Sequence, residues 1–155
     1  MRVHISTDHA AFELKNFLVE SLTADGYEVI DHGAHEFDAQ DDYPDYIIPG
    51  AQAVVDDPGS LGIALGGSGN GENIASNKVP GVRCILAWNV EIAKLGRQHN
   101  DANVIAVGGR PHEEEYALEM VRAFLTTPFS HDERHQRRID KMTAYESSAE
   151  RAQRH

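Results

Sequence analysis

Residues 61–77 read LGIALGGSGNGENIASN, and this stretch decides the fold. It begins with a short apolar run typical of a buried strand and continues through four glycines within residues 66–71. It ends in a segment of helical composition that Glu72 introduces. A strand, a tight turn and a helix in this order are parts of a βαβ unit. The sequence therefore predicts an α/β protein built on a parallel sheet.

Short runs rich in valine and isoleucine alternate with helical segments along the rest of the chain. The predicted strands are 2–6, 28–31, 61–65, 83–87 and 104–107, and the predicted helices are 11–24, 46–55, 71–77, 89–98, 113–126 and 133–148. Right-handed crossovers would wind them into a Rossmann-like, doubly wound parallel sheet of about five strands with flanking helices and a C-terminal helix. With 155 residues, we expect one domain over 1–146 and a flexible tail at 147–155.

The formal net charge of −11 argues against a nucleic-acid partner and against an anionic membrane surface, because both require an extended positive patch. The last 26 residues, 130–155, are the exception, with 6 Lys/Arg against 5 Asp/Glu. A solvated, salt-bridged helix or an anion site would each explain this basic cluster.

The single cysteine, Cys84, cannot form an internal disulfide, and its apolar neighbours favour a buried structural thiol. Together with an N-terminal stretch that lacks an apolar signal segment, this leads us to expect a cytoplasmic protein.

The glycine-rich turn is typical of an anion cradle, because glycines let backbone N–H groups approach a ligand at a helix N-terminus. It lacks the Gly-Lys-Ser/Thr ending of a nucleotide-binding P-loop, and it follows the third strand rather than the first, unlike a dinucleotide fingerprint. A turn that needs glycine only for packing is the alternative. Glu72 is open to two interpretations as well: a carboxylate that the helix dipole favours, or a general base beside the cradle.

Seven short motifs follow one another along the chain: Asp8-His9-Ala10, Asp42-Tyr43-Pro44, GGSGNGENIASNK at 66–78, Arg83-Cys84, HNDAN at 99–103, Gly108-Gly109-Arg110 and HQRRI at 135–139. In this order they resemble the ribose-5-phosphate isomerase B family, whose wider group includes allose- and galactose-6-phosphate isomerases. The resemblance covers about residues 1–146. The resemblance implies aldose–ketose isomerisation of a sugar phosphate, a reaction that requires no cofactor or metal.

The resemblance also implies catalytic roles. Glu72 would take the proton from sugar C2 and return it at C1. The turn, made of Gly67, Ser68, Gly69, Asn70 and Gly71, would form the oxyanion hole, with the Ser68 hydroxyl near O1 and O2. His99 would open the furanose ring with help from Asp8.

The remaining positions match substrate-binding residues of the family. Asn100 would position the substrate, Tyr43 would line the site, and the phosphate would be bound by His9, Arg110, Arg134 and Arg138. Some of these residues are expected from a second subunit, so the resemblance implies a homodimer or tetramer with a shared site. One branch of the family uses a cysteine base where this chain has Gly66, which assigns the chain to the glutamate branch.

Other interpretations stay open. Ribose 5-phosphate is the expected substrate, and the alternatives are allose 6-phosphate, galactose 6-phosphate or a tetrose phosphate, or a binding protein without catalysis. His32 with His35 and His131 with His135 have spacings that metal ligands can use, but no further ligands accompany them, so we expect no metal site. His135 is open to a substrate contact or a packing role. We expect Asp41, Asp42 and Asp45 to form an exposed acidic loop.

Overall fold

The protein is described by a computed structural model that covers residues 1–153. In this described part of the chain, five strands form one parallel sheet: β1 (Arg2–Thr7), β2 (Glu28–Asp31), β3 (Leu61–Gly66), β4 (Cys84–Leu86) and β5 (Val104–Gly108). Their order across the sheet is β2-β1-β3-β5-β4. The predicted doubly wound α/β fold is confirmed. The fifth strand inserts between the third and the fourth, an order that the sequence of elements alone does not predict.

Within residues 1–153, six α-helices flank the sheet: α1 (Phe12–Ala24), α2 (Pro44–Val55), α3 (Asn70–Ser76), α4 (Val90–Asn100), α5 (Glu114–Thr126) and α6 (Glu133–Gln153). A short 3-10 turn, His9–Ala11, precedes α1. None of the helices described within residues 1–153 combines the length and apolar composition needed to span a membrane.

The direction of each crossover decides which face of the sheet a helix covers. Since the β1–β2 and β4–β5 connections run opposite to the other two, right-handed crossovers place α1 and α4 on one face and α2 and α3 on the other. The side chains of β3 alternate accordingly: Ile63 and Leu65 join the core beneath α1, α4 and α5, and Ala64 joins the core beneath α2 and α3. Helix α6 packs against α4.

Many predicted element boundaries differ from the observed ones by one or two residues, and α6 differs most, at its end. β4 covers only Cys84–Leu86 of the predicted 83–87, and the backbone N–H of Arg83, just before it, donates to the Asn103 side chain. α2 begins at Pro44 rather than at residue 46, since proline is accepted in a first helical turn. α6 continues past residue 148 to Gln153, so it runs through most of the expected tail, and residues 154 and 155 of that tail lie outside the described residues.

The topology creates a switch point between β1 and β3, whose connections leave in opposite directions across the sheet. Loops that follow these two strands form a crevice at their carboxyl ends, where doubly wound sheets bind ligands. Helices α4 and α5 run back to the opposite, amino edge of the sheet. The fold therefore has two distinct edges on which functional side chains can lie.

Candidate active site

The glycine-rich turn lies at the carboxyl end of β3 and packs directly on the end of β5. Gly69, the N-cap of α3, has φ 88°, a left-handed conformation that favours glycine. A Cβ at Gly69 would lie 2.7 Å from Cδ1 of Leu86, and one at Gly108 would lie 2.5 Å from the carbonyl oxygen of Ser68. These glycines are thus needed for packing as well as for any anion contact.

Two backbone hydrogen bonds tie the turn to the loop after β5. The N–H of Gly109 donates to the carbonyl of Gly66 at 2.8 Å, and the N–H of Arg110 donates to the carbonyl of Gly67 at 3.0 Å. At the exposed tip of the turn, the Ser68 hydroxyl accepts from the N–H of Asn70 at 3.2 Å. The turn is therefore held at a fixed height above the sheet, and its Ser68 side chain remains at the surface.

Glu72 is 4% exposed and points back over the end of β3. Its carboxylate fills the space beside Gly66 so completely that a Cβ on residue 66 would overlap both oxygens. Burial raises the pKa of Glu72, hydrogen bonds from the N–H groups of Glu72 and Gly69 lower it, and the charge of Asp8 raises it. A buried carboxylate with a raised pKa is better suited to accept a proton than an exposed one.

Asp8 and His9 follow β1 on the other side of the crevice. Asp8 is 6% exposed and accepts from the N–H of Ala10 at 2.9 Å, which caps the 3-10 turn. One of its oxygens lies 3.9 Å from Nδ1 of His9. Asp8 is therefore a fixed, buried acidic group whose charge acts on Glu72.

Two larger side chains border the turn. The guanidinium carbon of Arg110 lies 3.1 Å from the Cβ position of Gly67, and Cζ of the Tyr43 ring lies 2.6 Å from that of Gly71. Arg110 is exposed and supplies a cation beside the cradle. Asp8, His9, Tyr43, residues 67–72 and Arg110 thus lie together at the carboxyl edge of the sheet.

His99 and Asn100 lie elsewhere, at the end of α4 on the amino edge. The carbonyl of Asn100 accepts from Nε of Arg83, and Arg83 also pairs with Asn103 at the start of β5. From Asn103 to Gly108, a strand rising about 3.3 Å per residue covers about 16 Å. A single chain therefore cannot bring His99 or Asn100 to Glu72.

Arg134 and Arg138 share this second location, in the first turns of α6, and both are exposed. Arg134 lies 3.7 Å from Asp132. Between them, His135 is 6% exposed, contacts the Ser130 hydroxyl through Nδ1 at 2.7 Å, and stacks on His99 with 4.4 Å between ring centroids. Burial and the neighbouring His99 lower the pKa of His135. These contacts favour the packing role for His135.

The prediction of an exposed acidic loop is confirmed for Asp42 and Asp45, which are exposed, and is wrong for Asp41. The Asp41 side chain is 6% exposed, because the loop between β2 and α2 folds back on His9. Asp8, His9 and Asp41 each offer one metal-ligand atom, and these atoms lie within 4.8 Å of one another. Nδ1 of His9 is already hydrogen bonded to Asp41 at 2.6 Å, so the imidazole nitrogen nearest both carboxylates is occupied. Nothing in the local sequence pattern distinguishes Asp41 from its acidic neighbours.

Cys84 is buried under α2 and α3, which confirms the predicted structural thiol. Burial raises the pKa of its thiol to about 12, so the reactive thiolate is absent at neutral pH. The cysteine is therefore separate from the chemistry of the crevice.

A buried carboxylate beside a glycine-rich cradle, at the switch point of a doubly wound sheet, defines a class of α/β proteins suited to removing a proton from a bound anion. Comparison with known proteins identifies the family within this class. The family model described as Ribose/Galactose Isomerase matches residues 3–142, and the chain belongs to this family.

Individual relatives agree with the family match. The chain is 56% identical over 150 residues to ribose-5-phosphate isomerase B of Mycobacterium tuberculosis, covering 97% of this chain and 93% of the relative. The structure of ribose-5-phosphate isomerase B from Clostridium thermocellum superposes with a TM-score of 0.92 at 38% identity, covering 96% of this chain and 99% of that one. The Mycoplasma genitalium enzyme with bound ribulose-5-phosphate gives a TM-score of 0.90 at 37% identity, covering 94% and 96%.

Proposed function

We infer that this protein is an aldose–ketose isomerase that interconverts ribose 5-phosphate and ribulose 5-phosphate through ring opening and an enediolate intermediate. The observation that carries this inference is the position of Glu72, a buried carboxylate placed against Gly66 and beside the glycine-rich turn. The 56% identity to a ribose-5-phosphate isomerase B selects ribose among the sugars that the family description covers.

The proton transfers can be assigned to residues at the carboxyl edge. Glu72 takes the proton from C2 of the open-chain aldose, and negative charge develops on O1. The backbone N–H groups of residues 67–71 then stabilise that charge, as preorganised donors do for an oxyanion. Glu72 returns its proton to C1, while the hydroxyl proton on O2 moves to O1, a transfer that the Ser68 hydroxyl is suited to relay.

Ring opening and part of the substrate binding need side chains from the amino edge of the sheet. We propose that His99, with Asp8, opens the furanose ring, that Asn100 orients the sugar, and that Arg134 and Arg138 join His9 and Arg110 at the phosphate. His99, Asn100 and the two α6 arginines lie at the amino edge, across the sheet from Glu72. Each site therefore takes these four residues from a second copy of the chain. A homodimer is the smallest assembly that provides complete sites.

Exposed apolar side chains near the crevice favour such a dimer. Ile74, two residues beyond Glu72 on α3, is 59% exposed, and Trp88, just after β4, is 60% exposed. Large exposed apolar residues next to an incomplete site are typical of a surface that a partner covers. Because the proposed substrate is a phosphorylated pentose, we also propose that the protein is cytoplasmic and acts in the pentose phosphate pathway.

An isomerase assay over a panel of aldose phosphates tests the function. Glu72→Gln should lower kcat on the best substrate by about 10²- to 10⁴-fold, the range for losing a general base, with substrate binding largely retained. Glu91→Gln is the matched control, since Glu91 is an exposed glutamate in the first turn of α4. Full turnover by Glu72→Gln would reject the base assignment, and a six-carbon or four-carbon sugar phosphate as best substrate would reject ribose.

A further inference from the structure

The loop between β2 and α2 brings a buried carboxylate against His9. Oδ1 of Asp41 accepts from the backbone N–H of His9 at 3.1 Å and contacts Nδ1 of the same residue at 2.6 Å. With 6% of its side chain exposed, Asp41 differs from its exposed neighbours Asp42 and Asp45. Its other oxygen, Oδ2, is buried without a hydrogen-bond partner among the residues that the structure describes. One carboxylate thus holds both the backbone and the ring of His9.

This contact fixes the state of the imidazole. Because an ionised carboxylate only accepts hydrogen bonds, Nδ1 of His9 carries the hydrogen, and Nε2 is the nitrogen left for another ligand. Phe37 packs edge-on against the ring, with 6.3 Å between ring centroids. The ring is therefore held in one orientation before any substrate arrives, with a hydrogen on Nδ1 whether the imidazole is neutral or charged.

The surroundings of His9 also favour its charged form. The hydrogen bond with Asp41 is the main cause that raises the pKa of His9, the charge of Asp8 acts in the same direction, and burial and Arg110 oppose them. Glu13 and Glu114 are the other charged side chains that line the depression around His9. A raised histidine pKa means that the positive charge is present at low pH and persists to higher pH before it is lost.

The position of Arg110 indicates that charged His9 can take part in binding an anion. The Arg110 guanidinium packs on Gly67 of the cradle, and its charge acts on His9, so the His9 cation lies near the cation that borders the glycine-rich turn. The protein carries a net charge of −11, and Asp8, Asp41 and Glu72 are all at this edge. An anionic ligand therefore needs local cations here, and pairing with His9 offsets the repulsion that Asp41 would otherwise exert.

We propose that Asp41 is a positioning residue for substrate binding, which holds His9 as a cation with its Nε2–H directed at the phosphate group of the sugar. This inference rests on the proposed function, since it needs a phosphorylated substrate in the crevice. Asp41 itself touches no reacting atom and acts through His9.

Asp41→Asn tests the proposal, because the amide keeps an oxygen that can accept from His9 and removes the charge. At pH 7.5, KM for ribose 5-phosphate should rise roughly tenfold while kcat changes less than about threefold, the pattern of a lost charge-assisted contact in binding. The pH at which KM begins to rise should move to lower values. Asp45→Asn removes the same charge from an exposed position in the same acidic stretch and should leave both constants at their wild-type values.

Three kinetic results would overturn the proposal: an unmoved pH dependence of KM, an equal effect of Asp45→Asn, or a loss confined to kcat. A titration of His9 by NMR gives a second readout that needs neither turnover nor a folded variant. In the wild-type protein, the His9 pKa should exceed the value of about 6.5 of an unperturbed imidazole and rise further when inorganic phosphate is added.

The NMR titration separates this proposal from the proposed function. If the wild-type protein isomerised no sugar phosphate, the function would be wrong, and the titration would still decide whether Asp41 holds His9 as a phosphate-binding cation. A His9 pKa at or below about 6.5, or one that inorganic phosphate leaves unchanged, would reject the role of Asp41 even in an active isomerase.

Discussion

The carboxylate of Glu72 occupies the space that a side chain on residue 66 would need. A Cβ on Gly66 would overlap both carboxylate oxygens, so a glutamate at position 72 in this orientation requires glycine at 66. The absence of a side chain at residue 66 is therefore as necessary for the site as Glu72 itself.

Gly66→Ala should displace Glu72 and abolish most activity. Overpacking of this kind typically costs about 1–3 kcal/mol of unfolding free energy. Adding Glu72→Ala should recover most of that stability without recovering activity, because the overlapping atoms are removed together with the base. Urea denaturation of the two single variants, the double variant and the wild type measures the coupling. Additive effects, or a fully active Gly66→Ala protein, would show that the two residues do not compete for space.

Glu72 should also reduce stability at neutral pH. Its pKa is raised by burial, so the folded state binds a proton more tightly than the unfolded state, and stability falls as pH rises through the unfolded and then the folded pKa. Glu72→Gln removes this charge and should be more stable than the wild type at pH 8, with a difference that shrinks toward pH 4. Unfolding free energies across this pH range provide the measurement. A variant that is less stable than the wild type at pH 8 would contradict the raised pKa.

Some parts of this arrangement can be predicted from the sequence, and others cannot. The strands followed from buried apolar runs, and the position of the glycine turn followed from β3 and α3 on either side of it. The insertion of β5 between β3 and β4 left no local signal, because strand order depends on packing between distant segments. Similarly, Asp41 is indistinguishable from Asp42 in sequence, since its burial depends on a loop that folds back onto His9.

The division of the candidate site between two edges follows from topology rather than from motifs. His99 and Asn100 end a helix that returns to the amino edge, whereas Glu72 begins a helix at the carboxyl edge. The residues that match the family motifs do not indicate by themselves at which edge of the sheet each one lies. Only the strand directions show that the two groups of one chain lie at opposite edges of the sheet.

Cys84 should be dispensable for catalysis. Its thiol is buried with a pKa of about 12, so iodoacetamide should leave the folded enzyme unmodified and active at pH 7.5. Cys84→Ala should retain kcat and lose about 1 kcal/mol of stability, as expected for a small cavity. Mass spectrometry after alkylation, together with the isomerase assay, checks both points. Rapid alkylation with loss of activity would contradict this assignment.

Activity should be independent of a bound metal. Asp8, His9 and Asp41 are close enough to share a cation, but the proposed proton transfers use the side chains of Glu72, Ser68, His99 and Asp8 directly, and none of them needs an ion. Dialysis against EDTA, with metal analysis of the dialysed protein, should leave kcat and KM unchanged. Loss of turnover that Mn²⁺ or Zn²⁺ restores would instead assign this cluster a catalytic ion.

The central claim, that each site combines Glu72 of one chain with His99 of another, is tested most directly by subunit complementation. Glu72→Gln and His99→Ala should each be inactive alone, yet a mixed dimer would contain one site with both native residues. Refolding the two variants together in equal amounts makes half of the dimers mixed, each with one intact site of two, so about one quarter of wild-type activity should return. Activity that stays at the level of the separate variants would contradict the shared site.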